Sequence, residues 1–282
     1  MKFFGNKMST IKRFRKRFKN WPRVIYHLFR SDFPVRVEFR DGSIMKVRCK
    51  NHLWDISYGF EFEYTEKDSI SFRYNTHYLK FYGTCDNGSI GDVYIQEELK
   101  NLDIKGNIII DVGANIGDSS IYFAIKGASK VIAIEPFPTT FDFLSLNIQT
   151  NNFSDNIIPL NIAIDSEPGH FILSENLENS VATMASDGAS GFNIAKMTID
   201  DLFKEYNIIK ALLKIDCEGC EYKVLRSISK ESWEKILEIT VEYHACIQDL
   251  KNILEQNGFT VSEIKKNTQM GLLYGKRRST AV

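Results

Sequence analysis

Apolar and polar positions follow different periods in the two parts of this chain. From residue 106 onward, short apolar runs alternate with segments of helical period, a pattern typical of a parallel sheet with crossover helices. Five runs are predicted as strands: 107–110, 130–135, 157–164, 211–216 and 238–244. Five segments between or after them are predicted as helices: 118–126, 138–151, 198–206, 219–229 and 247–257. Two final runs, 259–266 and 270–277, predict an antiparallel end to the sheet.

The first third of the chain has a different pattern. Apolar residues within 9–30 recur at spacings of three and four with basic residues between them, which predicts one or two amphipathic helices. Residues 33–49 alternate about Asp41 and Gly42, a strong hairpin signal, and residues 70–95 predict further short strands. We therefore predict three regions: a basic helical arm over 1–30, a small β-rich region over 31–95 and the main α/β domain over 96–282.

Charge is unevenly distributed, although the net charge is zero. Residues 1–30 carry ten of the 36 Lys and Arg residues and no acid, so the rest of the chain has 26 basic and 36 acidic residues. The arm is predicted either to pack its apolar stripe on the protein body or to bind a membrane surface or a polyanion. No apolar run approaches the ~20 residues of a membrane span.

The five cysteines, at positions 49, 85, 217, 220 and 246, do not form a recognisable ligand pattern. Cys217 and Cys220 are a CxxC pair, which is compatible with a metal or redox role. Because a second pair or histidines at ligand spacing are missing nearby in sequence, that role is the less favoured interpretation. Both are interpreted as small apolar side chains beside a strand end. Without a secretory apolar segment, the chain is predicted to be cytoplasmic, with peripheral membrane contact through residues 1–30 left open.

The segment 108–120, IIIDVGANIGDSS, carries the main chemical signal. A strand-like run ends in a loop with Gly113 and Gly117 and continues into a helix, which is how parallel α/β sheets present backbone to nucleotide-like ligands. The missing Cβ atoms are expected to let the ligand come close. The spacing G-x-x-x-G differs from the G-x-G-x-x-G of a dinucleotide site. Asp111 and Asp118 would repel a pyrophosphate but attract a sulfonium and an α-amino group, which favours S-adenosylmethionine over NAD.

Acidic residues also follow the other predicted strands. Glu135 ends the second strand about 20 residues after the glycine loop, where an acid accepts hydrogen bonds from a ribose diol. The remaining strand-end residues are Asp165 after the third strand, Asp216 and Glu218 after the fourth, and Glu242 and His244 on the fifth. Because the carboxyl ends of parallel strands meet at one edge of a sheet, we expect these residues to define one site.

The segments DVGANIG, IEP and LLKIDCEGCEYKVL together resemble the FkbM-family S-adenosylmethionine-dependent methyltransferases, over roughly residues 80–275. In that family the fourth-strand motif usually has the sequence KIDVEGAE. Asp216, Glu218 and Glu221 match it, whereas Cys217 and Cys220 depart from it. The family therefore implies no cysteine chemistry.

The resemblance implies an α/β fold, with a class I methyltransferase Rossmann-like sheet that is mostly parallel and has an antiparallel last strand. A small N-terminal β-rich appendage and a basic N-terminal helix complete the predicted fold. The resemblance also implies O-methylation of a sugar or natural-product hydroxyl, with S-adenosylmethionine as cofactor. The cofactor residues carried over are Asp111, Gly113, Asn115 and Gly117 at the methionine end, Glu135 at the ribose and Asp165 near the adenine.

Methyl transfer to a hydroxyl needs an acceptor oxygen held in line with the methyl group and a group that removes its proton. The candidates are Asp216, Glu218, Glu242 and His244. His244 is equally well explained as a cap of the fifth strand. Asp216 and Glu218 are alternatively ligands of a divalent cation or groups that orient the acceptor. The sequence leaves these roles open.

Two other functions are kept as alternatives: an RNA methyltransferase that uses the basic arm, and a non-catalytic binding protein on the same fold. Against RNA, the body is acidic, and neither an N/D-PP-[FY] motif nor an RNA-binding module is present. Intact Asp111, Glu135, Asp216 and Glu218 argue against a non-catalytic role. The expected partner is a glycan or small-molecule acceptor.

Overall fold

The structure, a computed structural model, describes residues 7–66, 69–85, 90–174, 191–217, 219–243, 247–265 and 270–278. The chain divides into an N-terminal unit, Met1–Glu97, and a C-terminal unit, Glu98–Val282. None of the helices in these described ranges combines the length and the apolar character needed to span a lipid bilayer.

The N-terminal unit contains four helices and five strands among its described residues. In chain order they are α1 Lys7–Arg17, α2 Trp21–Arg30, β1 Val35–Glu38, β2 Ile44–Val47, α3 Lys50–Tyr58, β3 Glu63–Glu66, β4 Ser69–Tyr74, β5 His77–Tyr82 and α4 Ile90–Tyr94. β1 and β2 form the antiparallel hairpin predicted about Asp41 and Gly42. β3, β4 and β5 form a separate antiparallel sheet.

The apolar stripe of the two N-terminal helices belongs to the core of this unit. Phe14, Phe18 and Leu28 are buried in one cluster with Val35 and Val37 of β1. Two arginines of the arm lie over aromatic rings of the same unit, Arg13 at 3.8 Å from the centre of Tyr58 and Arg17 at 5.5 Å from that of Phe39. Part of the basic face is thus used within the fold.

The N-terminal unit also has helices that the sequence pattern does not predict. α3 has only Leu53 and Ile56 as buried apolar residues, which is too short a repeat to reveal a helical period. The strand prediction over 70–95 is correct for β4 and β5 but wrong for Ile90–Tyr94, which is helical.

The C-terminal unit holds the alternating strands and helices. They are β6 Ile108–Val112, α5 Asp118–Ile125, β7 Lys130–Ile134, α6 Pro138–Thr150, β8 Ile157–Leu160, β9 Ala163–Ile164, β10 Gly169–Ser174, β11 Gly191–Met197, α7 Ile199–Glu205, β12 Ala211–Ile215, α8 Glu221–Ser227, α9 Lys230–Lys235, β13 Ile236–Tyr243, α10 Ile247–Gln256, β14 Phe259–Lys265 and β15 Gly271–Arg277.

Seven of these strands form one sheet in the order β14-β15-β13-β12-β6-β7-β8. The five strands from β13 to β8 run parallel, and β15 is antiparallel to both β13 and β14. The apolar side chains of Ile110, Leu213 and Ile239 from three adjacent strands lie in one buried core. The predicted Rossmann-like sheet with an antiparallel last strand is confirmed.

The predicted third strand is interrupted. β8 stays in the main sheet, whereas β9 pairs with β11 in a second sheet of order β10-β11-β9. Asn161, between them, donates hydrogen bonds from Nδ2 to the backbone oxygens of Glu135 and Pro136 at 2.9 and 3.1 Å. These bonds use the side chain where a continuing strand would use backbone, so the chain leaves the sheet at this point.

Candidate active site

Asp111, at the start of the glycine loop, is completely buried near the end of β6. Its Oδ2 accepts hydrogen bonds from the hydroxyls of Ser119 and Ser120 at 2.7 and 2.6 Å. Its Oδ1 forms an ion pair with Lys214 Nζ at 2.9 Å. Asp111 therefore joins the strand, the first turn of α5 and the neighbouring strand β12. Sequence alone presents Asp111 as an isolated negative charge beside the loop, whereas in the fold Lys214 balances it.

Lys214 is the functional residue that the sequence interpretation missed. It lies on β12 directly opposite Asp111 in the parallel register, and its Nζ also donates to the Gly113 carbonyl at 3.1 Å. Burial lowers the pKa of Lys214, but the charges of Asp111 and Asp216 outweigh it and raise that pKa above its usual value. The sequence does contain one indication of this pair: a single lysine interrupts the apolar run ALLKI. A buried ammonium group requires a partner of opposite charge.

The two loop glycines make room for protein, and their predicted role in letting a ligand come close stays a prediction. At Gly113, with φ of +77°, a Cβ would lie 1.9 Å from the Asp216 carbonyl oxygen. At Gly117, with φ of +90°, a Cβ would lie 2.8 Å from Leu144 Cδ1. Both positions also require the left-handed conformation that glycine adopts most easily. The glycines therefore let the loop pack against the end of β12 and against α6.

Glu135 ties the end of β7 to the glycine loop. It is 5% exposed, and its two carboxylate oxygens accept the backbone N–H groups of Asn115 and Phe137, each at 3.0 Å. Burial raises the pKa of Glu135 to about 7, although both backbone hydrogen bonds and the charge of Lys214 oppose the rise. Each oxygen accepts one of these bonds, so each keeps capacity for a further donor.

Asn115 and Asn147 complete the loop. Asn115 has a φ of +49°, and its side-chain Oδ1 is buried without a hydrogen-bond partner among the described residues. Asn147, fully buried on α6, donates from Nδ2 to the Ile116 carbonyl at 2.8 Å and so holds the loop from the other side. A buried acceptor without a donor is costly unless a ligand or water supplies one. Asn115 Oδ1 is thus a hydrogen-bond acceptor in the loop that lacks a donor among the described residues.

Asp165 follows β9, outside the seven-stranded sheet. Its carboxylate forms ion pairs with Lys196 at 2.8 Å and with Lys223 at 2.6 Å. Burial alone would raise the pKa of Asp165, but hydrogen bonds from the two lysines lower it to about 2. The structure therefore holds the predicted adenine residue in a local charge network.

Two of the four catalytic candidates lie within the described residues. Asp216 is half-buried directly after β12, where its backbone N–H donates to the Val112 carbonyl at 3.0 Å. Glu242 is 6% exposed near the end of the adjacent strand β13. Glu218 and His244 lie outside the described residues. The fold thus brings Asp216, Glu242, the loop and Glu135 to the carboxyl ends of four neighbouring strands.

A disulfide and the carboxylate of Glu221 both stabilise the turn after Asp216. Cys217 and Cys220 form a disulfide with a Cα–Cα distance of 5.6 Å, and both pack against the main core. Interpreting them as two separate apolar side chains was therefore wrong. Glu221, 4% exposed at the start of α8, accepts the backbone N–H groups of Cys217 and Gly219 at 3.3 and 3.1 Å. Its carboxylate holds the same turn.

Comparison with known proteins identifies the family. Residues 111–265 match the model of the methyltransferase FkbM domain. Methyltransferase sdnD of Sordaria araneosa is 26% identical over 191 residues, which cover 55% of this chain and 74% of that protein. Methyltransferase 1 of Beauveria bassiana is 27% identical over 186 residues, with 55% and 73% covered.

Among solved structures, the methyltransferase FkbM of Methylobacillus flagellatus has a TM-score of 0.48 and 16% identity to this chain. The match covers 67% of this chain and 48% of that one. The family match spans the glycine loop, Glu135 and the KIDCEGCE segment. This chain is therefore a methyltransferase and belongs to the FkbM family of S-adenosylmethionine-dependent enzymes.

Proposed function

We propose that this protein binds S-adenosylmethionine at the glycine loop and transfers its methyl group to a hydroxyl of a glycan or small molecule. The observation that carries the proposal is the pairing of Glu135 with the loop. A buried carboxylate with spare acceptor capacity lies beside the unpartnered Asn115 Oδ1. A ligand with a ribose diol and an ammonium group offers donors for both.

The residues at this edge fit such a cofactor. Glu135 would accept the ribose hydroxyls, and Asn115 Oδ1 would accept an N–H of the α-amino group. When bound, S-adenosylmethionine supplies an electrophilic methyl group on a cationic sulfur. Asp111 and Lys214 neutralise each other's charge, so we assign them the role of stabilising the loop conformation rather than of contacting the cofactor.

Local charge favours a cationic ligand. Lys214 interacts with three carboxylates, those of Asp111, Asp216 and Asp118. Among these four groups, three carboxylates face one ammonium group. That excess attracts a sulfonium and an ammonium group and opposes the pyrophosphate of a dinucleotide. The proposal thus keeps the argument that acidic residues near the loop favour a cationic ligand. Because Lys214 balances the charge of Asp111, the argument now depends on Asp118 and Asp216.

Asp216 is the described residue best suited to meet the acceptor hydroxyl. It is half-buried and anchored through its backbone to β6. A carboxylate at this position would accept the acceptor's proton or orient its hydroxyl. Glu218 and His244 remain proposed partners in the same step.

Calorimetry of the full chain with S-adenosylmethionine tests the cofactor proposal. We expect wild type to bind and Glu135→Gln to bind at least about tenfold more weakly, since a charge-assisted hydrogen bond is worth about 1.5–3 kcal/mol. Glu231→Gln, at an exposed carboxylate on α9, is the matched control and should bind as wild type does. Equal affinities of all three proteins would refute the assigned role of Glu135.

Transfer of a radiolabelled methyl group to separated lysate fractions tests the acceptor. Label in glycan or small-molecule fractions supports the proposal, and its loss in Asp216→Asn ties the reaction to this site. Label confined to RNA would instead support the alternative of an RNA methyltransferase. Cofactor binding without transfer to any glycan or small-molecule fraction would contradict the proposed acceptor class.

A further inference from the structure

A cluster of possible metal-ligand atoms lies in the N-terminal unit. Cys49, His52 and Cys85 place two sulfurs and one imidazole nitrogen within 4.8 Å of one another. His52 is 2% exposed, both cysteines are half-buried, and neither cysteine is in a disulfide. Thiolates and imidazoles are the side chains that zinc prefers in proteins.

Local structure explains how three residues from distant parts of the chain meet. Cys49 is the residue immediately before α3, and His52 lies in its first turn. Side chains three positions apart at a helix start lie on one face, so the C-x-x-H spacing presents both ligands together. Cys85 follows β5 and reaches the same point from the other side.

One distance between two of the ligand atoms is close to that expected in a tetrahedral site. Cys85 Sγ lies 3.9 Å from His52 Nδ1. Zinc with Zn–S of about 2.3 Å and Zn–N of about 2.0 Å would separate these two atoms by roughly 3.5 Å. A contraction of a few tenths of an ångström would therefore bring these two atoms into coordination distance.

The surroundings of His52 favour metal binding through Nδ1. Its other ring nitrogen, Nε2, lies 2.9 Å from the buried Thr84 hydroxyl, which fixes the ring with Nδ1 toward the sulfurs. Zinc-binding histidines commonly use their second nitrogen in this way. The Tyr64 hydroxyl is hydrogen-bonded to Nδ1 at 3.0 Å. Zinc bound at Nδ1 would replace that hydrogen bond and leave the hydroxyl beside the fourth position of the ion.

We propose that the N-terminal unit binds one zinc ion through Cys49, His52 and Cys85, with its fourth position beside the Tyr64 hydroxyl. Binding releases the two thiol protons, and the two thiolates neutralise the dication. The ion fastens the start of α3 to the segment that follows β5. This proposal does not depend on the proposed function.

Metal titration of the full chain tests whether the site exists. The protein is stripped with a chelator under reducing conditions and titrated with zinc against a chromophoric competitor. We expect one zinc per chain, and cobalt in its place should give a thiolate-to-metal charge-transfer band together with the visible bands of tetrahedral cobalt. Failure of the reduced, folded chain to take up zinc would overturn the proposal.

Alkylation of wild type locates the ion without any substitution. Zinc should protect Cys49 and Cys85 from iodoacetamide, as measured by peptide mass spectrometry. Protection of Cys217 and Cys220 alone would contradict the assignment. Zinc uptake that leaves Cys49 and Cys85 unprotected would also contradict it.

Variants supply the matched comparison. Cys49→Ser and Cys85→Ser should each abolish the charge-transfer band or reduce it strongly. The double variant Cys217→Ser/Cys220→Ser removes the other cysteine pair and should keep the band at one cobalt per chain. The reverse pattern would assign the metal to the CxxC segment and overturn the proposed site.

Discussion

Lys214 and Asp111 face each other across two neighbouring parallel strands and form a buried ion pair, with Nζ and Oδ1 2.9 Å apart. Their side chains are 9% and 0% exposed, so solvent screens the pair very little. Three further hydrogen bonds, from Ser119 and Ser120 to Asp111 and from Lys214 to the Gly113 carbonyl, satisfy the remaining polar atoms. The pair thus fixes the base of the loop before any ligand arrives.

Removing one partner of this pair should be strongly destabilising. Lys214→Met leaves Asp111 buried without its counter-charge, and we expect a loss of roughly 3–5 kcal/mol in the free energy of unfolding. Lys235→Met removes a half-buried lysine paired with the exposed Glu231 on α9 and should cost about 1 kcal/mol or less. Urea denaturation measures both. Similar costs for the two variants would show that Asp111 does not need Lys214.

Glu135 should make stability depend on pH. Its folded-state pKa of about 7 lies above the ordinary 4.5, so between these values the folded state keeps a proton that the unfolded state loses. Stability is therefore highest below pH 4.5, as far as this group is concerned, and falls by about 3 kcal/mol as the pH rises through 7. Glu135→Gln should remove this component, whereas Glu231→Gln should retain it. Denaturant unfolding at a series of pH values measures the difference.

The same titration should appear in cofactor binding. The carboxylate form of Glu135 is the one proposed to accept the ribose hydroxyls, so the affinity for S-adenosylmethionine should rise as the pH increases through about 7. In Glu135→Gln, this rise should disappear. Calorimetry across the same pH range tests it, and an unchanged pH profile in the variant would assign the titration to another group.

The sequence pattern predicts the main sheet well because its central strands, β13, β12, β6 and β7, are almost fully buried apolar runs. β6, β7, β12, β13, β14 and β15 all fall within or beside the predicted ranges. β10 and β11 were missed, since no alternation of a half-buried strand marks 169–174 or 191–197 clearly. α3 was missed because two buried apolar residues do not establish a period.

The sequence indicates which strand ends carry the candidate site residues, but not which residues contact each other there. Strand-end acids and a glycine loop are visible in any one-dimensional pattern, whereas partners such as Lys214 and Asp111, 103 positions apart, depend on the sheet register. The close approach of Gly113 to the Asp216 carbonyl likewise exists only once β6 and β12 are neighbours. The disulfide depends on the turn that Glu221 shapes.

The Cys217–Cys220 disulfide should contribute modestly to stability. It closes a very short loop, and the chain-entropy estimate for such a loop is about 2 kcal/mol. Reductant should therefore lower the free energy of unfolding of wild type by up to that amount. The double variant Cys217→Val/Cys220→Ala, which carries the usual family residues, should show no response to reductant. A response of equal size in both proteins would place the redox-sensitive contribution elsewhere.

Membrane contact through residues 1–30 remains a prediction. The exposed side chains of α2 indicate which residues would make that contact. Phe14 and Phe18 are buried in the core of the N-terminal unit, whereas Tyr26 and Phe29 on α2 are 56% and 71% exposed. Arg30 lies beside Tyr26, so this face combines aromatic and cationic groups suited to an anionic lipid surface.

Phe29→Ala should weaken co-sedimentation with anionic vesicles and leave the free energy of unfolding nearly unchanged. Phe18→Ala should instead cost about 3–5 kcal/mol in stability, because it opens a cavity in that core. If wild type stays in the supernatant at low salt, residues 1–30 do not bind membranes, and their apolar stripe serves the core of the N-terminal unit alone.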